Sequence, residues 1–176
     1  IVVNWEQRGC GKSYPAIKNS EDMTIEQYVI DINELTNYLK DRFNKEKIYL
    51  LGHSWGTIIG TKAVQKYPEQ FYAYIGAAQM VNVRETDRYM YNYVLKAAKR
   101  AGDEKRVKKM KEAGEPPYFG DGVLSKYTPF LTAYADYYRE ENPFQEKNRD
   151  WYEMRSMILF DEYSFIDKVR YFCGML

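Results

Sequence analysis

Residues 52–56 read Gly-His-Ser-Trp-Gly, so Ser54 stands between two glycines, one two positions before it and one two positions after it. An apolar run precedes this stretch and a helical pattern follows it, which is the context of a G-x-S-x-G nucleophile turn. The pattern predicts a sharp strand-to-helix turn that lifts the Ser54 hydroxyl above the sheet edge. Gly52 and Gly56 are expected to be glycine for steric reasons. The backbone N–H of Trp55 would lie at a helix start and could stabilise an oxyanion.

The single histidine of the chain is His53, beside that serine. A serine hydroxyl is a poor nucleophile unless a nearby base, oriented by a third group, takes its proton. Side chains alternate along a strand, so we expect His53 to point away from Ser54 and to pack beneath the turn. The chain then holds no histidine placed to act as the base.

The stretch EQRGCGKS, residues 6–13, resembles a phosphate-binding loop but fails both patterns. A P-loop needs glycine where Glu6 stands, and a dinucleotide-binding loop needs glycine where Tyr14 stands. A turn after a first strand fits better, with glycines adopting positive φ and Arg8 bonding nearby backbone.

The composition names no charged partner. Lysine and arginine total 26 and aspartate and glutamate 25, a net charge of +1, which gives no field to attract nucleic acid or an anionic membrane. The basic residues between Lys96 and Lys111 alternate with acids, so we interpret them as a solvated face. Two cysteines, Cys10 and Cys173, are too few for a disulfide framework or a metal site. We expect a reducing, cytoplasmic location, with no metal and no cofactor.

The periodicity predicts alternating strands and helices in the first half of the chain, and hence a parallel sheet. The predicted helix at 24–43 begins with Thr24 as cap and Gln27 as its capping-box partner. The predicted elements are strands at 1–7, 47–53 and 71–81 and helices at 24–43 and 57–67.

After residue 82 the pattern becomes entirely helical and rich in tyrosine. Helices are predicted at 84–101, 103–113, 129–139 and 150–160. The first of them has an expected inner face formed by Tyr89, Tyr93, Val94 and Ala97. We therefore predict an α/β core over 1–81, a helical cap over 82–172 and a return toward the core over 173–176.

Three stretches, EQRGCGKS, GHSWGT and PEQF, resemble the α/β-hydrolase superfamily, specifically its proline iminopeptidase branch, with Glu6 in place of the usual aspartate. The resemblance implies part of a parallel α/β-hydrolase sheet with an inserted all-helical cap. Residues 1–7, 47–53 and 71–78 would be the fourth, fifth and sixth strands, and the third strand would lie between the fourth and the fifth. The catalytic histidine and acid would follow Leu176, and the piece alone would be inactive.

The same resemblance implies a serine hydrolase that releases N-terminal residues from short peptides. Ser54 would be the nucleophile and the Trp55 N–H an oxyanion donor. Glu153 and Glu162 are the acids expected to bind the substrate ammonium, which needs a charged partner when it leaves water. The alternatives are hydrolysis of small esters or amides, and a non-catalytic relative that binds a ligand through its cap.

Overall fold

A computed structural model describes residues 1–17, 23–120, 122–141, 155, 159 and 161–174. The chain divides into two compact units, one of Ile1–Val81 with Asp161–Leu176 and the other of Asn82–Phe160. The predicted cap extended to residue 172, whereas Asp161–Leu176 belongs to the first unit. The predicted helix at 150–160 lies outside the described residues, apart from residues 155 and 159.

Helices and short strands follow one another along the chain. Their bounds are α1 Ile25–Phe43, β1 Ile48–His53, α2 Trp55–Lys66, β2 Phe71–Ala77, α3 Val83–Arg100, α4 Glu104–Ala113, α5 Val123–Glu141 and α6 Phe165–Gly174. Short 3-10 helices cover Gly11–Ala16 and Pro68–Gln70.

Strands β1 and β2 pair in parallel, with Leu50 opposite Tyr74 and Gly52 opposite Gly76. Helix α2 connects them, so the first unit contains a β-α-β crossover, as the alternating pattern predicted. Together with the preceding helix α1, this confirms an α/β fold with a parallel sheet.

Residues 1–7 were expected to form a strand, and this prediction is wrong for the described structure. They have no strand conformation, and the Ile1 and Val2 side chains are 97% and 89% exposed. A strand is stabilised by hydrogen bonds to a neighbouring strand. The sheet formed by the described residues has only β1 and β2, and residues 1–7 pair with neither of them.

Helix α1 begins as the sequence predicts, since the Thr24 hydroxyl oxygen accepts a hydrogen bond from the Gln27 amide at 3.1 Å. The reciprocal bond of the capping box, from the Thr24 amide to the Gln27 side-chain oxygen, is not among the hydrogen bonds of the described residues, and the Gln27 side-chain nitrogen donates to Asp31. The buried face of α1 packs against α2 and the start of β2. This core comprises Tyr28, Val29, Ile32, Ile59, Ala63 and Phe71.

The second unit is helical, with α3, α4 and α5 around one apolar core. Val94 and Ala97 are buried as predicted, but Tyr89 is 66% exposed and Tyr91 is buried instead. At 100° per residue Tyr89 lies about 160° around the helix from Tyr91. The observed inner face of α3 is therefore rotated from the predicted one and includes Tyr91 in place of Tyr89. The core comprises Tyr91, Val94, Ala97, Ala98, Met110, Phe130, Ala133 and Tyr137.

Candidate active site

Ser54 stands alone between the end of β1 and the start of α2, with φ 50° and ψ −118°. This combination is sparsely populated for a residue with a side chain and costs about 1–3 kcal/mol. The Ser54 residue is exposed, and its hydroxyl has no hydrogen-bond partner among the described residues. The predicted sharp turn is therefore present, with its serine in a strained conformation and its hydroxyl open to solvent.

Hydrogen bonds on both sides of Ser54 hold the strained backbone. Its amide donates to the carbonyl oxygen of Ala77, at the end of β2, at 3.0 Å. Its carbonyl oxygen accepts from the Thr57 amide at 2.9 Å and from the Thr57 hydroxyl at 2.6 Å. Thr57 is fully buried, and its hydroxyl oxygen also accepts from the Met80 amide at 3.0 Å. The turn is thus fixed to β2 and to the segment that follows β2.

The two glycines of the turn, Gly52 and Gly56, differ in the space available for a side chain. A Cβ atom on Gly52 would lie 2.5 Å from the carbonyl oxygen of Gly56 and 3.1 Å from the Tyr74 hydroxyl. A Cβ atom on Gly56 would meet nothing within 4 Å among the described residues. The steric requirement predicted for both positions holds for Gly52 and is wrong for Gly56 in the described structure. The Gly56 backbone is itself the obstacle that requires a glycine at position 52.

Trp55 is the first residue of α2, so its backbone N–H has no acceptor within the helix. That amide lies at the positive end of the helix dipole, and it belongs to the residue that directly follows Ser54. The indole N–H of Trp55 donates to the Gln7 side-chain oxygen at 3.2 Å. The indole ring also meets the Tyr28 ring edge to face, with ring centres 6.2 Å apart.

His53 is exposed, so the expectation that it packs beneath the turn is wrong. As the last residue of β1, it lies opposite Ala77 at the end of β2, and its side chain remains exposed there. No hydrogen bond joins His53 to Ser54 in the described part of the chain. The only histidine of the chain is therefore not engaged as a base for the adjacent hydroxyl.

Cys10 is not a rival nucleophile. Burial, and then the charge of Glu6, raises the pKa of the Cys10 thiol. A raised pKa keeps the sulfur protonated at neutral pH, and the thiol is a much weaker nucleophile than the thiolate.

The loop of residues 6–13 is folded by its own contacts. The Glu6 carboxylate accepts from the Lys12 amide at 2.8 Å, and a Cβ on Gly9, where φ is 82°, would meet Ile17 at 2.5 Å. The expectation that Arg8 bonds nearby backbone stays a prediction, and the structure adds an ion pair of its side chain. Its guanidinium donates two hydrogen bonds to Asp31 of α1, at 2.7 and 2.6 Å.

This ion pair alters the titration of Asp31. Burial alone would raise the pKa of the carboxyl group, but hydrogen bonds from Arg8 and Gln27 and the charge of Arg8 outweigh it. The net result is a pKa below the ordinary value. Asp31 therefore remains ionised and holds the loop against α1.

The two acids expected to bind the substrate amine are not brought together in the described structure. Glu153 lies outside the described residues. Glu162 is exposed in the turn before α6, with no hydrogen bond or ion pair to another described residue. Their role stays a prediction.

Several residues that support the turn were not identified from the sequence. Thr57, Gln7, Tyr28 and Asp31 act through contacts between elements, which periodicity does not reveal. One signal was available for Thr57, because a hydroxyl three residues after a helix cap is placed to bond the cap carbonyl. The others required the loop and α1 to be positioned first.

Other kinds of site find little support in the described ranges. No group of three or more histidine, cysteine, aspartate or glutamate side chains in them could hold a metal ion. None of the helices described is both long enough and apolar enough to span a bilayer. A cavity of about 660 Å³ lies in the second unit between α3 and α4, but none of the residues around Ser54 lines it, and exposed lysines form part of its wall.

Comparisons with known proteins agree with this geometry. Residues 1–127 match a family model described as "Serine aminopeptidase, S33". A curated relative, the "Probable aminopeptidase YbaC" of Bacillus subtilis (strain 168), is 39% identical over 93 residues, which cover 53% of this chain and 29% of the relative. The chain thus matches less than a third of that relative's length. No solved structure gives a significant match. Because the family model covers more than half of the chain, including the whole turn around Ser54, the chain belongs to the serine aminopeptidase family of α/β-hydrolases.

Proposed function

We propose that the full-length protein is a serine hydrolase of the aminopeptidase type, with Ser54 as its nucleophile. The observation that carries this proposal is the backbone of Ser54, at φ 50° and ψ −118°, with an exposed hydroxyl. A conformation that costs about 1–3 kcal/mol persists only where the surroundings enforce it, and such residues cluster at active sites. The bonds from Ala77 and Thr57 are the enforcing contacts.

In the proposed reaction the Ser54 oxygen bonds to a substrate carbonyl carbon while its proton passes to a base. The resulting oxyanion accepts a hydrogen bond from the Trp55 N–H, which supplies half of the oxyanion hole. Collapse of the intermediate transfers the proton to the leaving amine and leaves an acyl group on Ser54. Attack by water then releases the acid and regenerates the hydroxyl.

We propose that the base is a histidine outside the described residues, oriented by an acid. The reason is the position of His53, which is exposed and forms no hydrogen bond to Ser54. The 176 residues expressed without that histidine would then be inactive, and restoring it should restore turnover.

The substrate class we propose is a short peptide with a free N-terminal amine, of the kind that a proline iminopeptidase cleaves. Both the family description and the name of the Bacillus subtilis relative contain aminopeptidase, which supports this choice over other hydrolases. Glu153 and Glu162 are the acids proposed to bind the ammonium group.

The test uses the full-length protein and a fluorophosphonate probe, which reacts with activated serines. The wild type should be labelled, Ser54→Ala should not, and Ser125→Ala, which changes an exposed serine elsewhere, should label like the wild type. Absence of labelling in correctly folded wild-type protein would overturn catalysis and favour a ligand-binding relative.

The substrate class is tested with pairs of prolyl and alanyl p-nitroanilides whose amine is free or acetylated. An aminopeptidase should lose nearly all activity on acetylation, since the acids that bind the ammonium group would lose their charged partner. Equal rates on both members of a pair, together with rapid hydrolysis of p-nitrophenyl acetate, would indicate an esterase or amidase instead. Glu153→Gln and Glu162→Gln should raise KM for the free-amine substrates.

A further inference from the structure

The indole of Trp55 is held from two sides by residues that precede it by 27 and 48 positions in the chain. Gln7, in the loop at 6–13, accepts the indole N–H at 3.2 Å. Tyr28, in α1, packs edge to face with the indole, with ring centres 6.2 Å apart and an interplanar angle of 83°. We name Gln7 and Tyr28 the indole clamp.

The two members of the indole clamp are joined to each other through the loop backbone. The Tyr28 hydroxyl donates to the carbonyl oxygen of Arg8, the residue after Gln7, at 3.3 Å. The Arg8 side chain in turn forms its two hydrogen bonds to Asp31, one turn of α1 beyond Tyr28. Loop and helix therefore hold the clamp as one assembly.

The indole clamp acts on Trp55, the residue that follows the bonded Ser54. The Ser54 amide is bonded to Ala77 and the Ser54 carbonyl to Thr57. Trp55 follows directly, and its amide has no acceptor within α2. The Trp55 N–H shares one planar peptide group with the Ser54 carbonyl, whose oxygen is bound by Thr57. A side-chain tether at Trp55 anchors the other end of that plane, and so helps to fix the direction of the N–H.

We propose that Gln7 and Tyr28 are positioning residues that orient the backbone N–H of Trp55 toward the oxyanion formed at Ser54. This inference rests on the proposed function, because it assumes that Ser54 is the nucleophile. An oxyanion donor is effective only when it is aligned before the charge develops. The clamp supplies that alignment from outside the strand-turn-helix unit.

If the role of Gln7 were only structural, loss of its oxygen would lower the stability of the protein. The Trp55 side chain is 42% exposed, and the bond to Gln7 is open to solvent. Such a bond contributes little to folding, because water replaces either partner when it breaks. Loss of the Gln7 oxygen should therefore leave stability unchanged and should act on the chemical step.

The experiment compares the wild-type full-length protein with variants at Gln7 and a control. Gln7→Met removes the acceptor and keeps the side-chain length, Gln7→Glu keeps an oxygen acceptor, and Gln65→Met makes the same chemical change at an exposed position of α2. The measurements are the rate of fluorophosphonate labelling at Ser54, kcat and KM for p-nitrophenyl acetate, and the midpoint of urea unfolding.

We expect Gln7→Met to lower both the labelling rate and kcat by about threefold to tenfold, the range of one neutral hydrogen bond. KM and the unfolding midpoint should stay as in the wild type. Gln7→Glu should recover most of the rate, and Gln65→Met should not change it. In a Trp55→Phe background, which lacks the indole N–H, Gln7→Met should have no further effect.

Equal rates for Gln7→Met and Gln65→Met would overturn the positioning role while leaving the proposed function intact. The same conclusion follows if the Gln7→Met rate falls only in step with its stability. If wild-type protein is not labelled at Ser54, the proposed function itself fails and the positioning role fails with it.

Discussion

The carbonyl oxygen of Gly56 lies 2.5 Å from the point that a Cβ atom on Gly52 would occupy. The nucleophile turn therefore brings the backbone of α2 against the end of β1 and leaves no room for a side chain on the strand. A backbone atom cannot move aside as the end of a flexible side chain can. Of the two glycines of the motif, only Gly52 is therefore required by the packing of the described residues.

Gly52→Ala should destabilise the full-length protein by about 1–3 kcal/mol, the usual cost of forcing a methyl group into a packed site. Displacement of α2 should also reduce Ser54 labelling. Gly56→Ala is the matched control, and it should change the free energy of unfolding by less than about 1 kcal/mol, since alanine favours a helix. Urea unfolding of both variants measures the difference. An equal loss for Gly56→Ala would contradict the open space seen beside Gly56.

The ion pair between Arg8 and Asp31 predicts a pH-dependent contribution to stability. Their side chains are 22% and 12% exposed, and the pairing is bidentate, so it should be stronger than an ordinary surface pair. We expect Asp31→Asn to lower the free energy of unfolding at pH 7 by about 2 kcal/mol. Glu34→Gln, an exposed change on the same helix, should have almost no effect.

The sign of the pH dependence follows from the lowered pKa of Asp31 in the folded protein. In the unfolded chain the carboxyl group titrates near its ordinary value of 3.8. The stabilisation is complete above that value and is lost as the pH falls through the lower folded pKa. The gap between wild type and Asp31→Asn should therefore narrow below about pH 4 in urea unfolding series. A gap that widens toward acid pH would mean that the ion pair is not the source of the stability.

Features that depend on neighbouring residues in the sequence were predicted well. The turn at Ser54, the cap at Thr24 and the parallel order of β1 and β2 all follow from local spacing and from the strand-helix alternation. Each is determined by contacts within a few residues or by the one connection that a short helix allows.

Features that depend on distant partners were predicted poorly. Residues 1–7 have an apolar strand pattern but no strand to pair with, and His53 has no element above it in the described structure. The two bonds from Arg8 cross 23 residues to reach α1. No periodicity in a single sequence records such a contact, so the supports of the turn at Ser54 were missed although the turn itself was predicted.

A buried amide network at the start of β2 gives a third prediction. Gln70 is 8% exposed, and its oxygen accepts from the Lys40 ammonium at 2.7 Å. Its nitrogen donates to the side-chain oxygens of Asn33 and Asn37, at 3.1 and 3.0 Å. Gln70→Leu leaves all three groups without this partner and should cost about 1–2 kcal/mol.

Gln70→Glu should be milder than Gln70→Leu. The carboxylate keeps the bond to Lys40, and both asparagine amides can rotate to present their N–H groups to it. Gln65→Leu, at an exposed position of α2, should lie within about 0.5 kcal/mol of the wild type. Thermal unfolding of the three variants ranks them, and a Gln70→Glu protein less stable than Gln70→Leu would show that the asparagines do not rotate.

The bond between Tyr127 and Asp87 predicts the behaviour of the second unit at alkaline pH. Asp87 is 7% exposed and accepts from the Tyr127 hydroxyl at 2.6 Å. Burial, followed by the hydrogen bond to Asp87, raises the pKa of Tyr127 to about 12. Tyr127→Phe should therefore lower the free energy of unfolding by about 1–3 kcal/mol at pH 7, because a buried carboxylate loses its donor.

Because the folded pKa of Tyr127 lies above the ordinary value of 10, the contribution of its hydroxyl is complete below pH 10 and is lost as the pH rises toward about 12. The stability gap between wild type and Tyr127→Phe should hold between pH 7 and pH 9 and then narrow. Tyr89→Phe, at an exposed position of α3, is the control and should follow the wild type throughout. Urea unfolding at pH 7 and near pH 11 makes the comparison, and an unchanged gap at the higher pH would mean that the pKa of Tyr127 is not raised in the folded protein.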